Sequence, residues 1–186
     1  MTHTLIFNKP YGVLSTFTDP DGRPTLGDYI DLPDIYAAGR LDYHSEGLLL
    51  LTDDGDLIHR LTDPKFDHAK TYYAQVEGVV EDRQLDPIRR GVIVGGQKLK
   101  PAQVSIIDDP KFPPRSEPVR DYHPTTWLKI ILREGKKHQV RRMTAAVGYP
   151  TLRLIRVAIG SIELGELRSG AWRELSSIEH QALQSI

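Results

Sequence analysis

Apolar and polar positions divide the chain into many short elements with interleaved periods. Residues 48–51 are four consecutive leucines, closed by Thr52-Asp53-Asp54-Gly55, and predict a strand buried on both faces. Asp56–Leu61 then fits a helix that Pro64 stops, with Asp54 or Asp56 near its N-terminus. Lys70–Val76 alternates and carries two tyrosines, the pattern of a half-buried strand. Thr4–Asn8 and Tyr11–Phe17 read as strands around the Lys9-Pro10 turn, and Ile35–Ala38 as another. Thr25–Ile30 is a short helix with Thr25 as its cap, and Gly39–Gly47 a polar loop. Asp82–Arg90 has helical spacing and ends at Gly91. Val92–Val94 and Lys98–Leu99 form a hairpin about Gly95-Gly96, followed by a strand at Val104–Ile107. Trp127–Leu132, Leu152–Ile159 and Trp172–Leu175 are further strands; Lys137–Val147 and Ser176–Leu183 are helices. Between Asp108 and Thr126 lie five of the 13 prolines, which marks a long surface loop. Irregular interleaving with hairpins predicts an α+β fold on a mixed, largely antiparallel sheet with flanking helices.

Composition narrows the chemistry. At 186 residues, 39% hydrophobic and 26% charged, the chain fits an ordinary globular protein of one domain, open to a two-lobed build. It has no cysteine, which excludes a disulfide scaffold, a thiol nucleophile, an iron–sulfur cluster and a zinc–thiolate site. No segment reads as a signal peptide or approaches the ~20 apolar residues of a membrane span, so the expectation is a cytoplasmic protein with no membrane partner. The seven histidines never fall at metal-ligand spacing on one helix, and no phosphate-binding glycine motif is present. Asp53-Asp54-Gly55-Asp56 lacks calcium-loop spacing, and Tyr43-His44-Ser45-Glu46-Gly47 lacks the first glycine of a nucleophile elbow. No metal site is expected.

The net charge of −1 conceals a segregation. Residues 129–156 carry eight Lys and Arg against one acid, whereas residues 19–56 carry ten acids against two arginines. A basic segment of this density can bind a polyanion locally, although two solvated faces of opposite sign would give the same pattern.

Three segments carry candidate chemistry. Asp42 sits in a loop just ahead of the four-leucine strand, a rigid setting for a nucleophile or base, although by itself such a residue is more often a turn or ion-pair residue. Lys70 and Tyr72 share one strand face with Tyr73 on the other, a base-stacking platform or a packing pair. In Glu134-Gly135-Lys136-Lys137-His138-Gln139-Val140-Arg141-Arg142-Met143, cations crowd a predicted helix start, with Lys137 and Arg141 at i, i+4. The helix dipole disfavours that arrangement by ~0.3–1 kcal/mol per cation, unless the same cations bind phosphate.

Together, and in this order, these segments resemble the RNA pseudouridine synthases of the RsuA type. Gly39-Arg40-Leu41-Asp42 through Ser45-Glu46-Gly47-Leu48-Leu49-Leu50-Leu51-Thr52, then Lys70-Thr71-Tyr72, then Glu134-Gly135-Lys136 with Gln139-Val140-Arg141-Arg142-Met143 carry the resemblance. Phe7-Asn8-Lys9-Pro10 and Leu152-Arg153-Leu154-Ile155-Arg156 extend it over about residues 5–175. The run Met143-Thr144-Ala145-Ala146-Val147-Gly148-Tyr149-Pro150 is most similar to the RluE branch, which modifies 23S ribosomal RNA. His138 and Lys136-Lys137 depart from the Arg and Arg-Asn usual there.

The resemblance implies a single pseudouridine synthase domain over 1–186, a central cleft, no separate N-terminal RNA-binding domain and no cofactor. It implies that Asp42 acts at the sugar of a uridine, that Arg141 pairs with Asp42, and that Tyr72 packs on the uracil. It assigns Arg40 to the stack vacated by the flipped base and Leu154 to an apolar contact under the uracil. Lys70, Lys136, Lys137 and Arg142 are left to RNA. The implied partner is 23S ribosomal RNA or a large-subunit assembly intermediate, and the expected state is a monomer. Two other readings compete: a non-catalytic ribosome-assembly protein, and an aspartate-dependent nucleoside or glycoside hydrolase. The hydrolase needs a second facing carboxylate, for which Glu46 is the nearby candidate.

Overall fold

In a computed structural model the structure describes residues 2–185. The elements run β1 (Thr4–Lys9), β2 (Tyr36–Ala37), β3 (Glu46–Thr52), α1 (Gly55–Thr62), β4 (Lys70–Glu77), α2 (Asp86–Arg90), β5 (Ile93–Val94) and β6 (Gln97–Lys98). They continue with β7 (Gln103–Ile107), β8 (Thr125–Leu132), α3 (Gln139–Ala146), β9 (Thr151–Ile159), β10 (Ile162–Glu163), β11 (Trp172–Glu174) and α4 (Ser177–Gln184). The chain forms two compact units, one of residues up to His68 with the chain from Arg156 onward, the other Ala69–Ile155.

In the first unit β1 lies between β11 and β3, antiparallel to both, and β2 pairs antiparallel with β3. All seven residues of β3 are buried, and Leu48–Leu51 are fully so. The register sets Leu5 opposite Leu51, Phe7 opposite Leu49 and Lys9 opposite Gly47. Each such leucine stabilises by roughly 1.5–3 kcal/mol, so β3 is a stiff base for the loop that precedes it. Helix α1 starts where Asp54 Oδ1 accepts from the N–H groups of Asp56 and Leu57, both at 3.0 Å. Ser176 caps α4 in the same way, with Glu179 completing a capping box.

In the second unit β4 pairs along its whole length with β8, Lys70 opposite Leu132 through Glu77 opposite Thr125, and β7 takes the other side of β8. Ala74, Val76, Leu85, Ile88, Leu128, Ile130, Met143 and Leu154 build its core. The expected hairpin forms as β5 and β6, with Gly95 and Gly96 both at positive φ. The pro-rich segment is fastened by its own chemistry. Phe112 packs between Tyr73 and Trp127, and Arg153 Nη2 donates to the Pro113 carbonyl at 2.9 Å.

The α+β, mostly antiparallel expectation holds. Two local expectations do not. Residues 11–17 form no strand: Gly12 turns at φ 74°, Leu14 N–H bonds the Pro24 carbonyl, and the Thr16 carbonyl accepts from Leu26 N–H. Those bonds run to scattered loop partners rather than to one neighbouring strand. Helix α3 starts at Gln139 instead of Lys137, because His138 takes a left-handed conformation at φ 52°. Lys137 and Arg141 are therefore not neighbours on one helix face, and Lys136 and Lys137 precede the helix.

Candidate active site

In the first unit the loop of Asp42 is held by its backbone. Leu41 is buried, and its N–H and carbonyl both bond to the Ser15 hydroxyl, at 3.0 and 2.8 Å. Tyr43 carbonyl accepts from Gly12 N–H at 2.9 Å, and Asp42 carbonyl from Ser45 N–H at 3.0 Å. Asp42 is half-buried, His44 and Arg40 are exposed, and Tyr11 and His44 are in ring contact at 5.4 Å. Ser45 is 1% exposed, so the nucleophile-elbow reading has no accessible hydroxyl.

Beneath this loop lies a cation that sequence reasoning missed. Lys9 is fully buried, and its ammonium donates to the carbonyls of Val13 at 2.7 Å and Pro10 at 3.0 Å. Burial drives its pKa from 10.5 down to about 7; the charges of Glu46 and Asp42 pull it back up, and that of Arg156 pushes it down. Between about 7 and 10.5 the unfolded chain holds a proton here that the folded chain has released. This group's contribution to stability therefore rises with pH across that window and is flat below it. Urea denaturation at about pH 6.5 and about pH 9 should show a more positive slope of stability with pH in the wild type than in Lys9→Met. Identical slopes would contradict the assignment.

The charge segregation takes a different form in three dimensions. Arg153 and Arg156 are buried, the first tied to Pro113 and the second donating from Nε to the Leu48 carbonyl at 2.8 Å. They brace the fold and offer no exposed basic surface. Several acids of 19–56 are consumed locally: Asp19 by Arg23, Asp28 by Thr25 N–H, Asp53 by His3 N–H and Asp54 as the α1 cap.

The second unit carries the remaining candidates. Tyr72, opposite Ile130 on β4, is half-buried against the core that contains Leu154, Val140 and Met143. Leu154 is itself 4% exposed and belongs to that core. Lys70 reaches the turn ahead of α3, where a Cβ placed on Gly135 would stand 3.4 Å from its ammonium. That turn is built on Gln139, buried at the helix start. Its Nε2 donates to Glu134 Oε1 at 2.7 Å and its Oε1 accepts from Lys136 N–H at 3.0 Å. Glu134 Oε1 also accepts from Lys100 N–H at 2.8 Å. Arg141 Nη1 donates to the Thr151 carbonyl at 3.2 Å, and Arg142 lies beside the β5–β6 hairpin, with Nη2 3.5 Å from the Val94 carbonyl. Lys137 is exposed and Lys136 half-buried near Glu134. Asp42 and Arg40 thus belong to the first unit, and Lys70, Tyr72, Lys136, Lys137, Arg141, Arg142 and Leu154 to the second.

Comparison with known proteins gives the class of the fold. A crystal structure of a pseudouridylate synthase superposes with a TM-score of 0.83 at 33% identity, over 98% of this chain and 74% of that one. A chain in the structure of an H/ACA ribonucleoprotein bound to a substrate RNA containing 2′-deoxyuridine shares the fold at a TM-score of 0.60 and 15% identity, over 88% of this chain and 49% of that one. The sequence model of the RNA pseudouridylate synthase family matches residues 3–146, and the chain belongs to that family. Within it, a relative named ribosomal large subunit pseudouridine synthase E from Vibrio vulnificus is 53% identical over 92% of this chain and 74% of its own. Another of that name from Xanthomonas campestris is 51% identical over 91% of this chain and 93% of its own.

Proposed function

We propose that this enzyme isomerises a uridine to pseudouridine in large-subunit ribosomal RNA. The observation that carries the reading is similarity: relatives named for that subunit are about half identical over nine-tenths of the chain. The isomerisation breaks the bond between C1′ and N1, turns the uracil, forms a bond from C1′ to C5, and moves the C5 proton off the ring while N1 gains one. No electron is gained or lost, so no redox partner is consumed, and our reading needs a nucleophile or base at the sugar, a place for the base and a grip on RNA. In our reading Asp42 is the carboxylate acting at the sugar, and Arg141 is the cation that serves it. Tyr72 is the ring that receives the flipped uracil, with Leu154 as the apolar support. Stacking on Tyr72 returns ~1–3 kcal/mol of the few that base flipping costs. Arg40 fills the vacated stack, and Lys70, Lys136, Lys137 and Arg142 contact phosphates. The enzyme acts as a monomer in the cytoplasm, on 23S ribosomal RNA or on an assembling large subunit. A non-catalytic assembly protein is not favoured, because the relatives are named as synthases.

The test is tritium release from ribosomal RNA labelled at C5 of uridine. Release is expected from large-subunit RNA, naked or as an assembly intermediate, and not from small-subunit RNA. Release from small-subunit RNA alone would overturn the assignment of substrate, and release from none of the three would overturn turnover itself.

A further inference from the structure

The geometry points to Ser15 as a positioning residue for Asp42: its hydroxyl fixes the peptide groups of Leu41 and thereby sets where the next side chain projects. This rests on the reading that Asp42 is the reacting carboxylate. The hydroxyl does what a neighbouring strand would do. It accepts the Leu41 N–H at 3.0 Å and donates to the Leu41 carbonyl at 2.8 Å, across 26 residues of sequence. On the far side of Asp42, Gly12 N–H holds the Tyr43 carbonyl at 2.9 Å. The same short segment, 12–15, therefore grips the residue before and the residue after the carboxylate. It is itself anchored through its two middle residues. Lys9 Nζ bonds the Val13 carbonyl at 2.7 Å, and Leu14 N–H bonds the Pro24 carbonyl at 2.9 Å. Gly12 turns at φ 74°, a left-handed conformation that aims its N–H at Tyr43.

The need for such a device follows from the loop's own composition. Residues 39–45 form no helix or strand, so their polar backbone groups have no ladder to join. Leu41 is 6% exposed, and water is a poor substitute partner for its peptide groups. Without the hydroxyl they have an incentive to turn elsewhere, carrying Asp42 with them. A displacement of about 1 Å at a reacting group can lower turnover by about 100-fold.

The experiment compares Ser15→Thr, which keeps the hydroxyl, with Ser15→Val, which has the same shape without it, and with Ser15→Ala. Each is assayed by tritium release at saturating RNA, with KM measured separately and Asp42→Asn run alongside. The proposal expects kcat to fall about 10–100-fold in Ser15→Val and Ser15→Ala, KM to move less than about threefold, and Ser15→Thr to stay within about threefold of wild type. Equal activity in the Thr and Val variants would overturn it. So would a loss in Ser15→Val that tracks only the folded fraction seen by circular dichroism. If Ser15→Ala does not fold, the Thr and Val pair still decides the matter. An active Asp42→Asn would instead show that the underlying reading of Asp42 is at fault, whereas an inactive one beside a fully active Ser15→Val would reject only the clamp.

Discussion

Asp42→Asn is expected to lower the rate of tritium release by about 10⁴-fold or more, with RNA binding retained. The exchange keeps the size of the side chain and removes its charge, including the pull of that charge on the buried Lys9. The backbone bonds at Leu41, Asp42 and Tyr43 are made by main-chain atoms and by Ser15, and none of them depends on the carboxylate oxygens. An amide is far weaker than a carboxylate as a nucleophile or base, and removing one member of a catalytic set typically costs about 10⁴–10⁶ in kcat. A uridine-labelled fragment of large-subunit RNA, a filter-binding measurement and a thermal melt are sufficient. Near-normal binding, an intact cooperative melt and no release would establish the role. Release within about tenfold of wild type would reject Asp42 as the reacting group and leave it a loop residue.

Leu50→Ala should be the most damaging single truncation in the first unit. Leu50 is fully buried in the middle of β3, opposite Ile6 of β1, and its carbonyl accepts from Ala38 N–H. The strand is buried along its whole length, so few neighbours are free to collapse into the space that three lost carbon atoms leave. Truncations of this kind cost roughly 2.7–5 kcal/mol. That is a large part of the 5–15 kcal/mol that a folded domain has in total. At roughly 2–4 °C per kcal/mol for a chain of this size, the melting temperature should fall by roughly 5–20 °C. Because β3 begins directly after the Asp42 loop, activity should fade with temperature earlier than in the wild type, while kcat well below the melt stays close to normal. A loss of less than about 1 kcal/mol would mean that the strand repacks freely and is not the rigid base described above.

Much of the architecture can be read from short windows. The period of β4, the four leucines of β3, the Asp54 cap, the Gly95-Gly96 hairpin and the Ser176 capping box depend on residues within a few positions of one another. Local propensity therefore decides them. The order of the motifs likewise places the chain in its family, because a run such as Gly39–Thr52 is too long to match by accident. The misjudged pieces share a cause. Residues 11–17 have the composition of a strand, yet Gly12, Leu14, Ser15 and Thr16 bond Tyr43, Pro24, Leu41 and Leu26, all at least ten residues away. The start of α3 is fixed by Gln139 and Glu134, with Lys100 reaching in from another part of the second unit.

Charge is where the difference is clearest. Sequence alone established the chain's electrostatic inventory, its apolar periods, the absence of thiol chemistry and the aspartate ahead of a buried strand. Tertiary structure alone decided that Lys9 is buried and titrates near neutrality, that Arg153 and Arg156 brace backbone carbonyls instead of facing solvent, and that Ser15 holds the loop of Asp42. The reason is physical. A cation's behaviour depends on how much water it keeps and which acceptors replace that water. The Leu48 carbonyl that Arg156 finds lies 108 residues away, the Leu41 peptide that Ser15 holds lies 26 away, and Lys9 loses its water only when the rest of the chain packs over it.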